Sequence, residues 1–373
     1  MHNYCARNFV TLVVIKDRER NMVELKLDNE TPFNCGLVVQ TDEEGKEILV
    51  VALKGTYQIK TDGTLVCADE QAPIISEPVY FGDPAQSSLK YVPDINFTKV
   101  ATDVALIGHA IAPAEGEPIT ELTVTFQVGE VSKTVCVFGD RSWTRSRGLF
   151  GKRWFKSKPK IFKKTPLTYE YAFGGKDDSA GTEEQSVYEL RNPIGTGVIA
   201  KASKKDQVHL PNVEDPEDLI KSPGDKPLPA GFGFIAPDWQ LRQQYAGTYD
   251  EQWQKKRMPL LPENFDRRFF NAAHPDLIAD GFLKGDERVY VTHTVPEGEL
   301  SFNLPGKQVA IQLYWKDGRT ENLQANVDSV VVNTDEMSLQ LLWRASIAID
   351  NKAKDIEIIK VSSLDVVRQK MPA

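Results

Sequence analysis

The sequence predicts a mainly β protein, with antiparallel, sandwich-like sheets from the N- and C-terminal regions around a long irregular middle with short helices. Three observations carry this expectation. Alternating and β-branched apolar runs, punctuated by turn residues, fill the first 140 and the last 90 of the 373 residues. Twelve of the 22 prolines lie between Pro159 and Pro275, and their missing N–H groups exclude regular sheet or long helix there. A content of 41% hydrophobic and 26% charged residues is that of an ordinary folded chain, which argues against long disorder, collagen or coiled coil.

The elements follow in chain order. Val10–Ile15 is a short β-branched run, and Ile48–Ile59 a longer one with Gly55 where a bulge or close approach would sit. Asp62-Gly63 is a hairpin signal. Asp103–Ile111, Leu122–Val128 and Thr134–Phe138 read as strands, the last two joined by a loop over Gly129–Lys133. In the middle, short helices are expected near Asp215 and across Trp239–Arg257, where Trp239, Arg242, Tyr245, Tyr249 and Trp253 keep roughly helical spacing broken by Gly247. Toward the C-terminus, Val289, Val291, His293 and Val295 share one strand face. Glu297-Gly298 turns into Leu300–Leu304, Val309–Trp315 is a further strand, and Leu339, Leu341 and Trp343 alternate with Gln340, Leu342 and Arg344. The chain divides into a β-rich region over 1–140, a basic arm with a motif-rich middle over 141–285, and a second β-rich region over 286–373. The two β-rich ends are able to pack together as one domain.

Charge is uneven. The formal net charge is −8, which excludes a globally basic nucleic-acid binder. Yet Arg141–Lys164 holds ten Lys or Arg and no acid, leaving −18 over the rest. The longest apolar run, Ile48–Leu53, is far short of a membrane helix of ~20 residues. Thr11–Ile15 is too short for a signal-peptide core, and Lys16, Asp17, Arg18 and Glu19 follow at once, so a cytoplasmic protein is expected. Cys5, Cys35, Cys67 and Cys136 form no Cys-x-x-Cys pair and read as reduced thiols, buried or idle.

Catalytic signatures are missing. There is no G-x-S-x-G elbow, no Walker A loop and no His-Glu-x-x-His. Gly195-Thr196-Gly197 and Gly231-Phe232-Gly233 read as structural turns. Asp266, His274, Asp276 and His293 are the residues best suited to hold a divalent ion, and a metal-dependent hydrolase using them is the enzymatic alternative, although their spacing matches no known site. The basic segment 141–164, with Trp143, Phe150, Trp154, Phe155 and Phe162 interleaved, suits a solvated loop, a dock for an acidic protein or a nucleic-acid-binding module.

The middle is dense in motifs: Tyr169-Glu170-Tyr171-Ala172-Phe173-Gly174-Gly175, then Asn192-Pro193-Ile194-Gly195, Leu210-Pro211-Asn212, Ala230-Gly231-Phe232, and Asn264-Phe265-Asp266-Arg267-Arg268-Phe269-Phe270-Asn271-Ala272-Ala273. Aromatics supply packing area where hydrogen-bond ladders are lacking, and Asn, Asp and Gly satisfy turns. This string, with Val50–Ile59, Ser88-Leu89-Lys90-Tyr91, Lys99, Thr102-Asp103-Val104, Gly108-His109-Ala110, Phe138-Gly139-Asp140-Arg141 and Leu341-Leu342-Trp343-Arg344, resembles the DUF2169 family of bacterial type VI secretion gene clusters.

The resemblance implies an adaptor or chaperone that holds a type VI effector and helps load it onto the VgrG/PAAR spike. It implies no catalytic residue, no metal and no cofactor. The expected partner-binding residues are Tyr169, Tyr171, Phe173, Trp239, Tyr249, Trp253, Phe265, Asp266, Phe269 and Phe270, joined by Arg147, Lys152, Arg153 and Lys156 of the basic segment. No membrane is expected among the partners.

Overall fold

The computed structural model describes residues 9–16, 22–113, 118–148, 151–350 and 352–365. Among the described residues strands account for 43% and helices for 8%. The mainly β expectation holds, with several antiparallel sheets and, among the described residues, two short α-helices.

The largest sheet has ten strands drawn from both ends of the sequence. Its path runs Phe9–Lys16, Met22–Asn29, Ile356–Asp365, Lys307–Trp315, Thr320–Asn333, Ser338–Ala348, Glu47–Ile59 and Asn34–Thr41. Leu65–Cys67 adds to Glu47–Ile59, and Asp103–Ile107 adds in parallel to Thr320–Asn333. Phe9–Lys16 and Asn34–Thr41, the ends of the path, approach each other and nearly close the sheet into a barrel. Near-closure covers two edges that otherwise present unpaired backbone groups.

Glu47–Ile59 shows why this strand is central. Twelve of its 13 residues are buried, so it reads as a continuous apolar run, not an alternating one. Gly55 lies in unbroken register opposite Leu341. It is a close approach and no bulge: a Cβ here would stand 3.0 Å from the Trp343 ring and 3.1 Å from that of Phe33, which stack on each other with centroids 5.6 Å apart.

A second sheet, of five strands, holds Val213–Glu214, Val131–Phe138, Glu121–Val128, Arg288–Thr292 and Glu299–Asn303. The loop expected over Gly129–Lys133 is in fact a two-residue turn, Gly129-Glu130, with Val128 opposite Val131. Lys133 looked like loop because it is charged, yet it is a buried strand residue whose ammonium meets Asp276 at 2.6 Å. Inner faces of both sheets contribute to one main core, through Leu53, Val104, Val330 and Trp343 from the first and Phe126, Val135, Val289 and Val291 from the second.

The helix expected near Asp215 is absent and the chain makes a turn there. The Asp215 carboxylate accepts the Glu217 N–H as an N-cap would, but Glu214 takes the Ile220 N–H that a continuing helix would bond to its own backbone. Over Trp239–Arg257 two helices form, α1 (Gln240–Gln243) and α2 (Glu251–Lys256), separated by Gly247 at φ +78°.

The irregular middle is pinned to the first sheet by buried charge. Lys99 Nζ lies 2.8 Å from Asp103 and 3.1 Å from Asp328, and Arg344 lies 3.3 Å from Asp328. Asp103 also accepts from Asn271 Nδ2 and from the Ala272 N–H. Asp328 is the extra residue of a β-bulge between Val327 and Ser329, which turns its carboxylate inward.

Candidate functional site

The expected aromatic site divides into a buried half and an accessible half. Tyr169, Phe173 and Trp239 are core residues, at most 3% exposed. Tyr169 and Trp239 meet edge to face at 5.3 Å, and Gly231 leaves room for the Tyr169 ring, since a Cβ there would stand 2.7 Å from it. Burial pushes the Tyr169 phenol up from its ordinary value. Phe173 packs with Trp143, Leu210 and Ile220. These three are therefore scaffold, their rings supplying packing area where the Pro-rich chain lacks a hydrogen-bond ladder. Tyr171 differs, at 36% exposed.

The accessible half lies on the segment 245–270. Asp250 caps α2 by accepting the Trp253 N–H at 2.8 Å, and Trp253 Nε1 donates to the Leu260 carbonyl. Tyr249, 52% exposed, meets Trp253 edge to face with centroids 4.7 Å apart. A cleft of about 280 Å³ opens beside Trp253, between Lys256, Arg257, Pro262 and Asn264. Phe265, Phe269 and Phe270 form a second, half-buried group within 5.4–5.9 Å of one another. Asp266 sits beside it but serves the chain, capping Arg267–Phe270 and pairing with Arg268, whose guanidinium holds the carboxyl below the ordinary range.

The basic segment folds as a hairpin, Ser142–Gly148 with Gly151–Lys156, extended by Gln207–His209. Several of its cations turn back onto the protein. Arg141 is buried against Glu214 and lies over the Phe138 ring. Arg145 stacks 4.4 Å above Trp154 and donates to the Ser203 carbonyl, and Lys156 Nζ donates to the Ile220 carbonyl at 2.6 Å. Arg153 and Lys158 are exposed, beside Phe155 at 57% exposure. The side chains of Arg147 and Lys152 lie outside the described residues.

The four residues considered for a metal do not assemble. His274 and Asp276 are neighbours, with Nδ1 3.3 Å from the carboxylate, and Lys133 completes that cluster. Burial lowers the His274 imidazole, whereas His274 and Lys133 together hold Asp276 well below the carboxylate range. Asp266 is engaged with Arg268, and His293 hydrogen-bonds the Thr123 carbonyl. Among the described residues no group of three His, Cys, Asp or Glu side chains is placed to hold a metal ion.

Across this whole arrangement, from the central strand to Arg344 of the buried network, a family model matches: residues 44–344 fit the family described as an uncharacterized protein conserved in bacteria, DUF2169. The chain belongs to the DUF2169 family. No curated protein and no solved structure matches it.

Much of the family-like string in this DUF2169 chain builds the scaffold. Lys99, Asp103, Asn271 and Arg344 all meet in the buried network, and Asn192 Nδ2 bridges the carbonyls of Tyr169 and Phe173. Sequence reasoning missed two members of the polar interior. Asp328 was signalled only by a charge inside the apolar run Val327–Val332, and Arg242 only by a cation among aromatics at helical spacing. No helix among the described residues is long and apolar enough to cross a membrane.

Proposed function

We propose that this DUF2169 protein is a cytoplasmic adaptor or chaperone. In this reading it holds a type VI secretion effector and helps seat it on the VgrG/PAAR spike, by binding and release and without a reaction of its own. The observation that carries the reading is the accessible aromatic segment 245–270. Its Tyr249–Trp253 pair and Phe265–Phe269–Phe270 group sit on a scaffold locked by buried ion pairs. Rigidly held aromatics bury large area at low entropic cost, which suits a surface that must grip and release another protein. Arg153 and Lys158 supply positive charge for an acidic face of the same partner.

The test is co-expression with the effector encoded beside this gene and a tagged spike protein. Deleting the gene should lower effector level and abolish effector recovery with the spike. Unchanged level and recovery would sink the proposal.

A further inference from the structure

Arg242 is a buried cation with no direct ion pair among the described residues. It projects from α1 and is 9% exposed. Its Nε and Nη2 donate to the Phe269 carbonyl at 3.0 and 2.9 Å, and its Nη1 donates to the Ile235 carbonyl at 2.9 Å. A guanidinium has five N–H donors, so these bonds leave one on each terminal nitrogen. Among the described residues no carboxylate lies within 4 Å of it, although Asp103 and Asp238 are near enough to act on its charge. Burial lowers its pKa to about 10, which keeps it cationic at neutral pH. Carbonyl dipoles offset only part of the cost of desolvating a full charge.

The same side chain forms a wall shared by two cavities, one of about 180 Å³ and one of about 520 Å³. The larger has the size of a ligand site and a largely apolar lining, including Val100, Ile235, Leu241 and Ile278. Two further charges reach it: Arg268, which is already paired with Asp266, and Asp280, which is exposed. A cation at the wall, apolar sides and one exposed acceptor match three features of a peptide end. These are its terminal carboxylate, an aliphatic last side chain and a backbone N–H. A plain aliphatic acid would satisfy the first two but offer no N–H to Asp280.

We infer that the 520 Å³ cleft beside Arg242 captures the C-terminal carboxylate of a partner polypeptide whose last residue is aliphatic. This site goes beyond the adaptor reading and does not depend on the partner being an effector.

The probe is a pool of dye-labelled hexapeptides, random at the first five positions and ending in Leu, Ile or Val, prepared with either a free carboxyl or an amide end. The full-length protein should retain free-acid peptides, and the selected ones should bind about tenfold or more weakly as amides. Val100 is 45% exposed at the cleft, so Val100→Glu tests the site without touching the core. It should weaken the selected peptides at least about tenfold while leaving the melting temperature unchanged. Arg242→Gln should abolish retention, and it is read only if its circular dichroism matches the parent. Equal retention of acid and amide pools would overturn the inference, as would binding indifferent to Val100→Glu. Protection by decanoate with no peptide selected would assign the cleft to aliphatic acids and overturn it too.

Discussion

Lys99 Nζ lies 2.8 Å from the Asp103 carboxylate, with both side chains at most 2% exposed. Asp103 begins a strand of the large sheet and grips Asn271 and Ala272 of the irregular middle, while Lys99 reaches on to Asp328. One ion pair thus joins sheet and motif-rich segment. Lys99→Met should destabilise the fold by about 3–5 kcal/mol, because it removes the ion-pair partner of buried Asp103 and leaves Asp328 with Arg344 alone. Urea unfolding measures this. Replacing Asp328 by Asn in the same chain should recover part of the loss, and strict additivity of the two changes would show that the charges are not coupled.

Acid should unfold the protein in two stages. Burial holds the His274 imidazole below the ordinary histidine value, so the unfolded chain takes up a proton that the folded one refuses. That contribution is complete above about pH 6.5 and is lost as pH falls toward the lower folded value. Burial also opposes ionisation of Asp328, but Arg344 and Lys99 outweigh it and keep the carboxyl below its ordinary range. This second contribution is present above about pH 4 and fades below it. Urea midpoints measured from pH 8 to pH 3 should fall in both windows, and His274→Gln should flatten the upper one and, because His274 also holds Asp276 down, shrink the lower one in part.

Gly55 tests the central strand. A side chain there meets Trp343 and Phe33, both fully packed. Gly55→Val should cost about 1–3 kcal/mol through overpacking, despite the better strand propensity of valine. A more stable variant would mean that the two rings have room to shift.

The two aromatic classes should separate in one experiment. Trp239→Ala removes a buried ring and should cost about 3–5 kcal/mol. Tyr249→Ala removes an exposed one and should change stability by less than about 1 kcal/mol, yet reduce effector recovery with the tagged spike protein. If Tyr249→Ala leaves recovery intact, the 245–270 surface is not the effector site.

Charge reversal on the hairpin is the companion test. Arg153 and Lys158 are exposed, so Arg153→Glu with Lys158→Glu should leave unfolding unchanged. Association with an acidic partner should slow, and its salt dependence should shrink. An unaltered association rate would confine the hairpin to its contacts with its own protein.

The sequence alone determined the β-rich ends, the Pro-broken middle, the breaking of the helical spacing at Gly247 and the family. Each is written in local pattern: alternation along Leu339–Trp343, missing proline N–H groups, glycine's access to positive φ, and a fixed order of motifs. Only the tertiary structure decided which motif residues face inward. Tyr169 and Tyr249 have similar chemistry and similar neighbours in the sequence, yet one is 1% exposed and the other 52%. Lys133 read as loop and Asp328 drew no expectation, yet both are buried, with partners Asp276 and Lys99 that stand 143 and 229 positions away. Burial of a charge depends on a counter-charge that folding brings from a distance, and no local pattern encodes that meeting.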